Sequence, residues 1–161
     1  MSASEKSKYN NELILNAAGE GLASADINGN LTFINPAGAK MLGWEVEELI
    51  SKPGHDIMHH TKPDGSPYPL EECPIYVAFQ DGVVRFEDNE IFWRKDGSSF
   101  PVEYTSTPIR EGGKYVGTVL VFRDITERKA AEKTLRETLG RLSKMNRYES
   151  IIGIVTRTVH Q

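Results

Sequence analysis

The feature that most constrains this chain is an abrupt change of hydrophobic period at Asp124. Up to that residue, "KYVGTVLVFRD" has the alternation of a β-strand, and from Thr126 onward "TERKAAEKTLRETLGRL" has the period of a helix, about 3.5 residues. Asp124 can cap this helix, and Glu127, three positions later, completes a pattern resembling a capping box. We therefore expect a strand-to-helix junction with almost no slack.

The stripe of this C-terminal helix has steps of four and three, as in a coiled-coil seam: Ala131, Leu135, Thr138, Leu142 and Met145. A narrow stripe favours a seam over a helix packed on its own domain, although both interpretations stay open. Thr138 would make the seam weak. A second stripe, Tyr148, Ile152, Val155 and Val159, is out of phase with the first.

The rest of the pattern predicts an α+β fold with five antiparallel strands and several short helices between the second and third. Two short runs flank Asn28-Gly29, a dipeptide that favours the type I′ turn of a hairpin. Three further β-runs follow residue 85 and are separated by Asp96-Gly97 and Gly112-Gly113. Because the strands come in two blocks, a doubly wound fold is excluded.

Three segments are expected along the chain. Residues 1–10 are polar and predicted to be disordered, and residues 11–124 form the domain, beginning with a flanking helix that carries Leu13. Residues 125–161 form the C-terminal helix or linker. The region between residues 51 and 71 contains many Pro and Gly residues and is expected to be a loop.

The composition of the chain argues against several classes of protein. The formal charge of −4 and pI near 5.6 argue against a nucleic-acid-binding surface. No apolar run approaches the ~20 residues of a membrane span, and the amino terminus lacks the apolar core of a signal peptide. Cys73 is the single cysteine, so no intrachain disulfide is possible. These observations predict a cytoplasmic chain without its own membrane segment.

No catalytic motif is apparent. The chain contains neither GxxxxGK[ST] nor GxGxxG, and it lacks the glycine-rich ATP boxes of histidine kinases. His160 does not lie in a phospho-acceptor pattern such as "HELRTP". We therefore expect a regulatory chain and not an enzyme.

Several motifs in the expected order resemble the PAS domain superfamily, specifically the PAS-PAC sensor modules of bacterial and archaeal signalling proteins. They are "FINPAGAKMLGWEVEELI", "WRKDGSSFPVEYTSTPI" and "FRDITERKAAE". The resemblance implies a sheet that encloses a small-molecule pocket and a homodimer formed through the flanking helices. It also implies a signal relay through Asp124, Ile125 and Thr126 to an output domain such as a histidine kinase. The terminal "RYESIIGIVTRTVHQ" resembles the lead-in to a GAF domain.

The resemblance leaves the ligand open: a small organic molecule or none. The Asn-Cys-Arg-Phe-Leu-Gln stretch of flavin-photosensing relatives is missing, and the helix preceding the third strand carries no histidine for haem. Haem would need His55, His59, His60 or Cys73. His55 and His59 are four apart and could share a divalent metal if helical, although solvent-exposed histidines near a turn are the stronger interpretation.

A ligand-free dimerisation spacer is the alternative to a sensor. Candidates for lining a pocket are the apolar residues of the inserted helices and the facing strands: Met41, Leu42, Trp44, Ile57, Met58, Ile75, Phe79 and Phe92. Most of them could equally be plain core. The indole N–H groups of Trp44 and Trp93 need hydrogen-bond partners if they are buried.

Overall fold

The computed structural model describes the backbone of residues 2–159 and the side chains of residues 2–147 and 149. The chain forms two units, Met1–Ile125 and Thr126–Gln161. His160, considered above as a phospho-acceptor, lies outside the described residues. So do the side chains of the second stripe, Tyr148, Ile152, Val155 and Val159.

The first unit contains five helices and five strands in the described residues. In chain order they are α1 (Ala3–Ala17), β1 (Gly21–Asp26), β2 (Leu31–Ile34), α2 (Pro36–Leu42), α3 (Val46–Leu49), α4 (Gly54–Met58), α5 (Pro74–Asp81), β3 (Arg85–Trp93), β4 (Ser99–Glu111) and β5 (Lys114–Asp124). A short 3-10 helix, Leu70–Glu72, precedes α5. The second unit is the helix α6 (Thr126–Val159).

The strands form one antiparallel sheet in the order β2-β1-β5-β4-β3. The predicted five-stranded α+β architecture, with helices inserted between the second and third strands, is thereby confirmed. A C-terminal helix is present as predicted, whereas its pairing into a coiled coil stays a prediction.

The core lies between one face of the sheet and the inserted helices. Phe100, Val102 and Tyr104 alternate into it along β4. Phe92 of β3 is stacked on Tyr104 with ring centroids 5.4 Å apart. Leu42 and Leu49 pack against them from α2 and α3. The inserted helices are therefore held to the sheet by apolar contacts, which fixes where their polar side chains lie.

The amino terminus differs from expectation. Residues 3–10, predicted to be disordered, belong to α1. The Ser2 hydroxyl accepts a hydrogen bond from the Glu5 N–H, and the Glu5 carboxylate accepts one from the Ser2 N–H. This capping box satisfies two N–H groups that a helix start otherwise leaves unpaired, so the helix begins earlier than its apolar stripe.

The β1–β2 hairpin forms where predicted, but its turn is not type I′. A type I′ turn needs positive φ at both central residues, here Asn28 and Gly29. Gly29 has a φ of 82°, but Asn28 does not have a positive φ, since Ser51 is the one non-glycine residue with positive φ in the described part of the chain. The Asp26 carboxylate accepts hydrogen bonds from the N–H groups of Asn28 and Asn30. This side-chain cap closes a longer loop and removes the need for positive φ at Asn28.

Candidate functional site

The site begins at α4, which lies inside the segment expected to be a loop. The Gly54 N–H donates to the Gly29 carbonyl at 3.0 Å, which ties the start of α4 to the β1–β2 hairpin. His55 lies in the first turn, and His59 is the residue that ends the helix. Their rings lie edge to face with centroids 5.6 Å apart. The structure thus places the two histidines side by side.

Cys73 completes a cluster with these two histidines. It is buried at the start of α5, and its Sγ lies 3.3 Å from His59 Nδ1. One ring nitrogen of each histidine and the Cys73 sulfur all lie within 4.8 Å of one another. The two histidines of one helical turn and a cysteine 14 residues beyond His59 therefore bring their potential ligand atoms together.

A second layer of polar groups surrounds the histidines. His55 Nε2 lies 2.8 Å from the Tyr68 carbonyl oxygen, and His59 Nε2 lies 2.7 Å from the Glu90 carboxylate. Glu90 also accepts hydrogen bonds from the hydroxyls of Tyr68 and Tyr104, at 3.0 and 2.9 Å. Each imidazole therefore has its Nε2 held by an oxygen atom.

The cluster holds opposite charges close together. Burial lowers the pKa of His59, but contacts with Cys73 and Glu90 outweigh burial and raise it to about 9. Burial raises the pKa of the Cys73 thiol, but the imidazoles of His55 and His59 outweigh burial and lower it to about 6. Near neutral pH these pKa values give a thiolate, an imidazolium and the Glu90 carboxylate in a row.

Burial raises the pKa values of Tyr68 and Tyr104, and the Glu90 carboxylate raises them further. Both phenols therefore stay protonated and act as donors to Glu90. The carboxylate is satisfied from three sides, by two hydroxyls and one imidazole. Such a network positions the His59 ring firmly.

A cavity of about 40 Å³ adjoins the cluster. His55, His59 and Met58 border it from α4, Ile75 and Phe79 from α5, and Thr118 and Leu120 from β5. Pockets that hold drug-sized ligands measure about 300–1,000 Å³, whereas one water needs about 10–15 Å³. In this conformation the cavity admits a few water-sized groups, and a haem or flavin would require α4 and α5 to move apart.

The pocket candidates divide into two groups. Met58, Ile75 and Phe79 line the cavity. Leu42 and Phe92 are fully buried core residues, and Met41, Trp44 and Ile57 are partly buried against that core. Among the indoles, Trp93 donates to the Thr61 carbonyl at 3.1 Å. Trp44 Nε1 is buried with no hydrogen-bond partner among the described residues.

The proposed relay and seam residues lie at the end of the chain. Ile125 is 2 % exposed, and its N–H donates to the Pro101 carbonyl at 3.0 Å. Asp124 accepts a hydrogen bond from Arg94 at 3.3 Å, and Thr126 begins α6. The seam side chains of α6 are exposed or half-buried: Ala131, Leu135, Thr138, Leu142 and Met145. Leu13 of α1 is also exposed.

Comparison with known families identifies the fold. The sequence model described as "PAS domain" matches residues 19–127, which is more than half of the chain. The chain belongs to the PAS domain family. PAS domains are regulatory sensor modules, so the resemblance seen in the sequence and the sensor role in signal transduction are confirmed.

The relatives of this PAS domain are signalling proteins. The chain is 29% identical over 154 residues to a probable diguanylate cyclase, DgcE, of Escherichia coli K12, an alignment that covers 92% of this chain and 14% of that protein. It is 34% identical over 107 residues to two-component system protein A of Emericella nidulans, covering 66% and 15%. The chain thus spans about one seventh of the length of these relatives.

A solved structure shows the same fold. A sensory box histidine kinase/response regulator from Burkholderia thailandensis superposes with a TM-score of 0.59 at 17% identity, covering 83% of this chain and 97% of that one. No helix in the described residues is long and apolar enough to cross a bilayer.

Sequence reasoning missed three members of the site. Glu90, Tyr68 and Tyr104 were not singled out, and Cys73 was considered only as a haem ligand. Glu90 lies two residues before the buried Phe92 in the regularly paired part of β3, so strand alternation places both on the face toward the core. The signal that could have been used is the His-x3-His pair followed by the one cysteine of the chain.

Proposed function

We propose that this PAS domain is the input module of a longer signalling protein. A small ligand occupies the cavity beside α4 and α5, and the state of the cavity passes along β5 through Asp124, Ile125 and Thr126 into α6. Two copies pair through α6 and the exposed face of α1 around Leu13, and an output domain such as a histidine kinase follows. The chain itself regulates and does not catalyse.

One observation carries this proposal: a single strand borders the cavity and leads to the final helix. Thr118 and Leu120 of β5 line the cavity, β5 ends at Asp124, and α6 begins at Thr126. A displacement of β5 therefore reaches the start of α6 across one residue. That residue, Ile125, is fixed by burial and by its bond to Pro101.

Arg94 supports the relay from the side of the inserted helices. Its Nε donates to the Met41 carbonyl of α2 at 3.2 Å, and its guanidinium donates to the Asp124 carboxylate. The guanidinium also lies 4.5 Å from the Phe100 ring centroid. One side chain thus connects α2, β4 and the end of β5, and movement of the helices changes the geometry at Asp124.

The small cavity also favours a second candidate function, a ligand-free dimerisation spacer. An interior of about 40 Å³ is close to filled by side chains. The two functions differ in whether a change at the cavity alters the output, and this difference can be measured without knowing the ligand.

The experiment fuses α6 in phase to the dimerisation and catalytic core of a histidine kinase. Ala25→Val partly fills the cavity, because Ala25 borders it from β1. We expect Ala25→Val to change kinase autophosphorylation several-fold. Two glycines inserted after Thr126 should abolish that response while the melting temperature of the PAS domain stays the same.

No response to Ala25→Val in the uninterrupted fusion would favour the spacer. An undiminished response after the glycine insertion would contradict the relay through residues 124–126. Thermal melting of each variant separates these results from misfolding.

A further inference from the structure

We propose that His55, His59 and Cys73 form a binding site for a thiophilic transition-metal ion, Zn²⁺ being the simplest case. The inference concerns this site alone and stands whether or not β5 relays a signal. It is drawn from the ligand atoms, their partners and the cavity beside them.

The three donor atoms are close enough to share one ion. Zn²⁺ binds imidazole nitrogen at about 2.0–2.1 Å and thiolate sulfur at about 2.3 Å, so tetrahedral ligand atoms lie roughly 3.3–3.6 Å apart. His59 Nδ1 and Cys73 Sγ are already 3.3 Å apart, and every pair in the cluster lies within 4.8 Å. A contraction of about 1 Å for the most distant pair completes the geometry.

The second layer presents the correct nitrogen of each ring. A metal-bound histidine almost always donates its other N–H to a carbonyl or carboxylate oxygen, which fixes the tautomer. His55 Nε2 faces the Tyr68 carbonyl, and His59 Nε2 faces Glu90. Both Nε2 atoms are therefore N–H donors, which leaves both Nδ1 atoms as the ligand atoms.

His55 Nδ1 supplies an independent observation. It is buried and has no hydrogen-bond partner of ordinary geometry among the described residues, although the His55 ring is close enough to Cys73 to lower the pKa of that thiol. Buried acceptors without a good partner are rare in folded proteins, because nothing offsets the loss of their contact with water. A metal ion coordinated at Nδ1 satisfies that lone pair, and the Tyr68 carbonyl already holds the opposite side of the ring.

The donor set selects the class of metal. Thiolate with imidazole suits Zn²⁺ and copper, whereas Mg²⁺ and Ca²⁺ prefer oxygen ligands. Three protein ligands leave a fourth position for water or a small ligand, as in catalytic zinc sites. The cavity bordered by His55 and His59 offers room for a group of that size. Binding releases the proton shared by His59 Nδ1 and Cys73 Sγ to solvent.

The first test uses the unaltered protein. The metal-stripped chain is loaded with one equivalent of Zn²⁺ and examined by X-ray absorption spectroscopy. We expect one sulfur neighbour at about 2.3 Å and two imidazole nitrogens at about 2.0–2.1 Å. A shell of nitrogen and oxygen without sulfur would place the ion elsewhere on the surface and overturn the proposal.

The second test measures Zn²⁺ affinity by competition with a chromophoric chelator. Removal of an outer-layer partner alone lowers metal affinity about 10–100-fold, so Glu90→Gln is expected to lower it by roughly 10-fold. Cys73→Ser removes a ligand and is expected to lower it by at least about 100-fold. His60→Gln is the matched control, because His60 is exposed and lies against Trp93 outside the cluster.

Equal affinities in the wild type, Cys73→Ser and His60→Gln would overturn the proposal, as would the absence of one-to-one binding in the wild type. Circular dichroism of each variant establishes that it is folded. If Cys73→Ser does not fold, the spectrum of the loaded wild type decides the question without any variant.

Discussion

His59 has a polar partner on each ring nitrogen, one from the inserted helical region and one from the sheet. Cys73 precedes α5, whereas Glu90 lies in β3, and both contact an imidazole that is fully buried. Burying this ring without either partner would be costly. His59 therefore links the inserted helices to the sheet by polar contacts.

This contact predicts an acidic thiol in metal-free protein. The pKa of Cys73 is lowered to about 6, so the thiolate is present at pH 7 and becomes protonated as the pH falls through about 6. Ultraviolet thiolate absorbance of chelator-treated protein measures this titration. His59→Gln removes the imidazolium and should move the midpoint upward, whereas a midpoint above pH 8 in the wild type would contradict the contact.

The sequence predicted only those residues of the site whose spacing along the chain reveals that they lie close together. His55 and His59 are visible as a pair because four residues make one helical turn. Glu90 was overlooked because a glutamate is seldom buried unless it has partners, and its partners, His59, Tyr68 and Tyr104, are brought to it only by the fold. Tyr68 contributes a backbone carbonyl and a hydroxyl from a segment without periodicity, so its position depends on tertiary contacts alone.

A second prediction concerns close approach between β1 and β5. A Cβ on Gly21 would lie within 2.5 Å of three ring atoms of Phe122, which is itself buried. Gly21→Ala should lower the free energy of unfolding by about 1–3 kcal/mol because the core cannot make room without strain. Urea denaturation measures the change.

Gly140→Ala is the control for that experiment, because a Cβ at this helical position meets no atom within 4 Å. It should leave unfolding unchanged or raise stability by up to about 1 kcal/mol. Equal losses in the two variants would contradict the steric explanation.

Elements were predicted best where periodicity is long. The β3–β4–β5 block and α6 follow their patterns, and Phe100, Val102 and Tyr104 are buried at alternating positions of β4. The sequence does not predict α4, because a helix of five residues that begins with Gly is too short to show a hydrophobic period. Its position depends on a tertiary contact, the hydrogen bond from the Gly54 N–H to the Gly29 carbonyl of the hairpin, which local sequence does not reveal.

The exposed stripe of α6 gives a prediction at this scale. Leu135 and Leu142 are 58 % and 48 % exposed, and in a paired coiled coil both would be buried against a partner. Leu135→Lys or Leu142→Lys should weaken dimerisation at least 10-fold in sedimentation equilibrium, because a charge enters the seam. Ser143→Lys adds the same charge on the outer face, and dimers that survive all three substitutions would place the interface elsewhere.

The molecule consists of two units with different sources of stability. Met1–Ile125 has its own apolar core, whereas the described side chains of α6 include no fully buried residue. A chain that ends after Ile125 should therefore keep its near-ultraviolet circular dichroism. It should also lose the concentration dependence of melting that a dimer shows.

Loss of tertiary signal in the shortened chain would show that α6 is needed to fold the sensor unit. A melting temperature that is independent of concentration in the full chain would instead show that α6 does not pair in solution. Calorimetry of both chains over a 100-fold range of concentration distinguishes these outcomes.

The strand order places β5 between β1 and β4, although β5 is the last strand to be made. The amino-terminal hairpin and the β3–β4 hairpin share no edge, so neither can join the other until residues 114–124 have left the ribosome. A nascent chain thus cannot close the sheet until nearly all of the domain has been translated, because isolated two-stranded hairpins are only marginally stable. Synthesis of β5 is therefore the step that allows the two hairpins to join in one sheet.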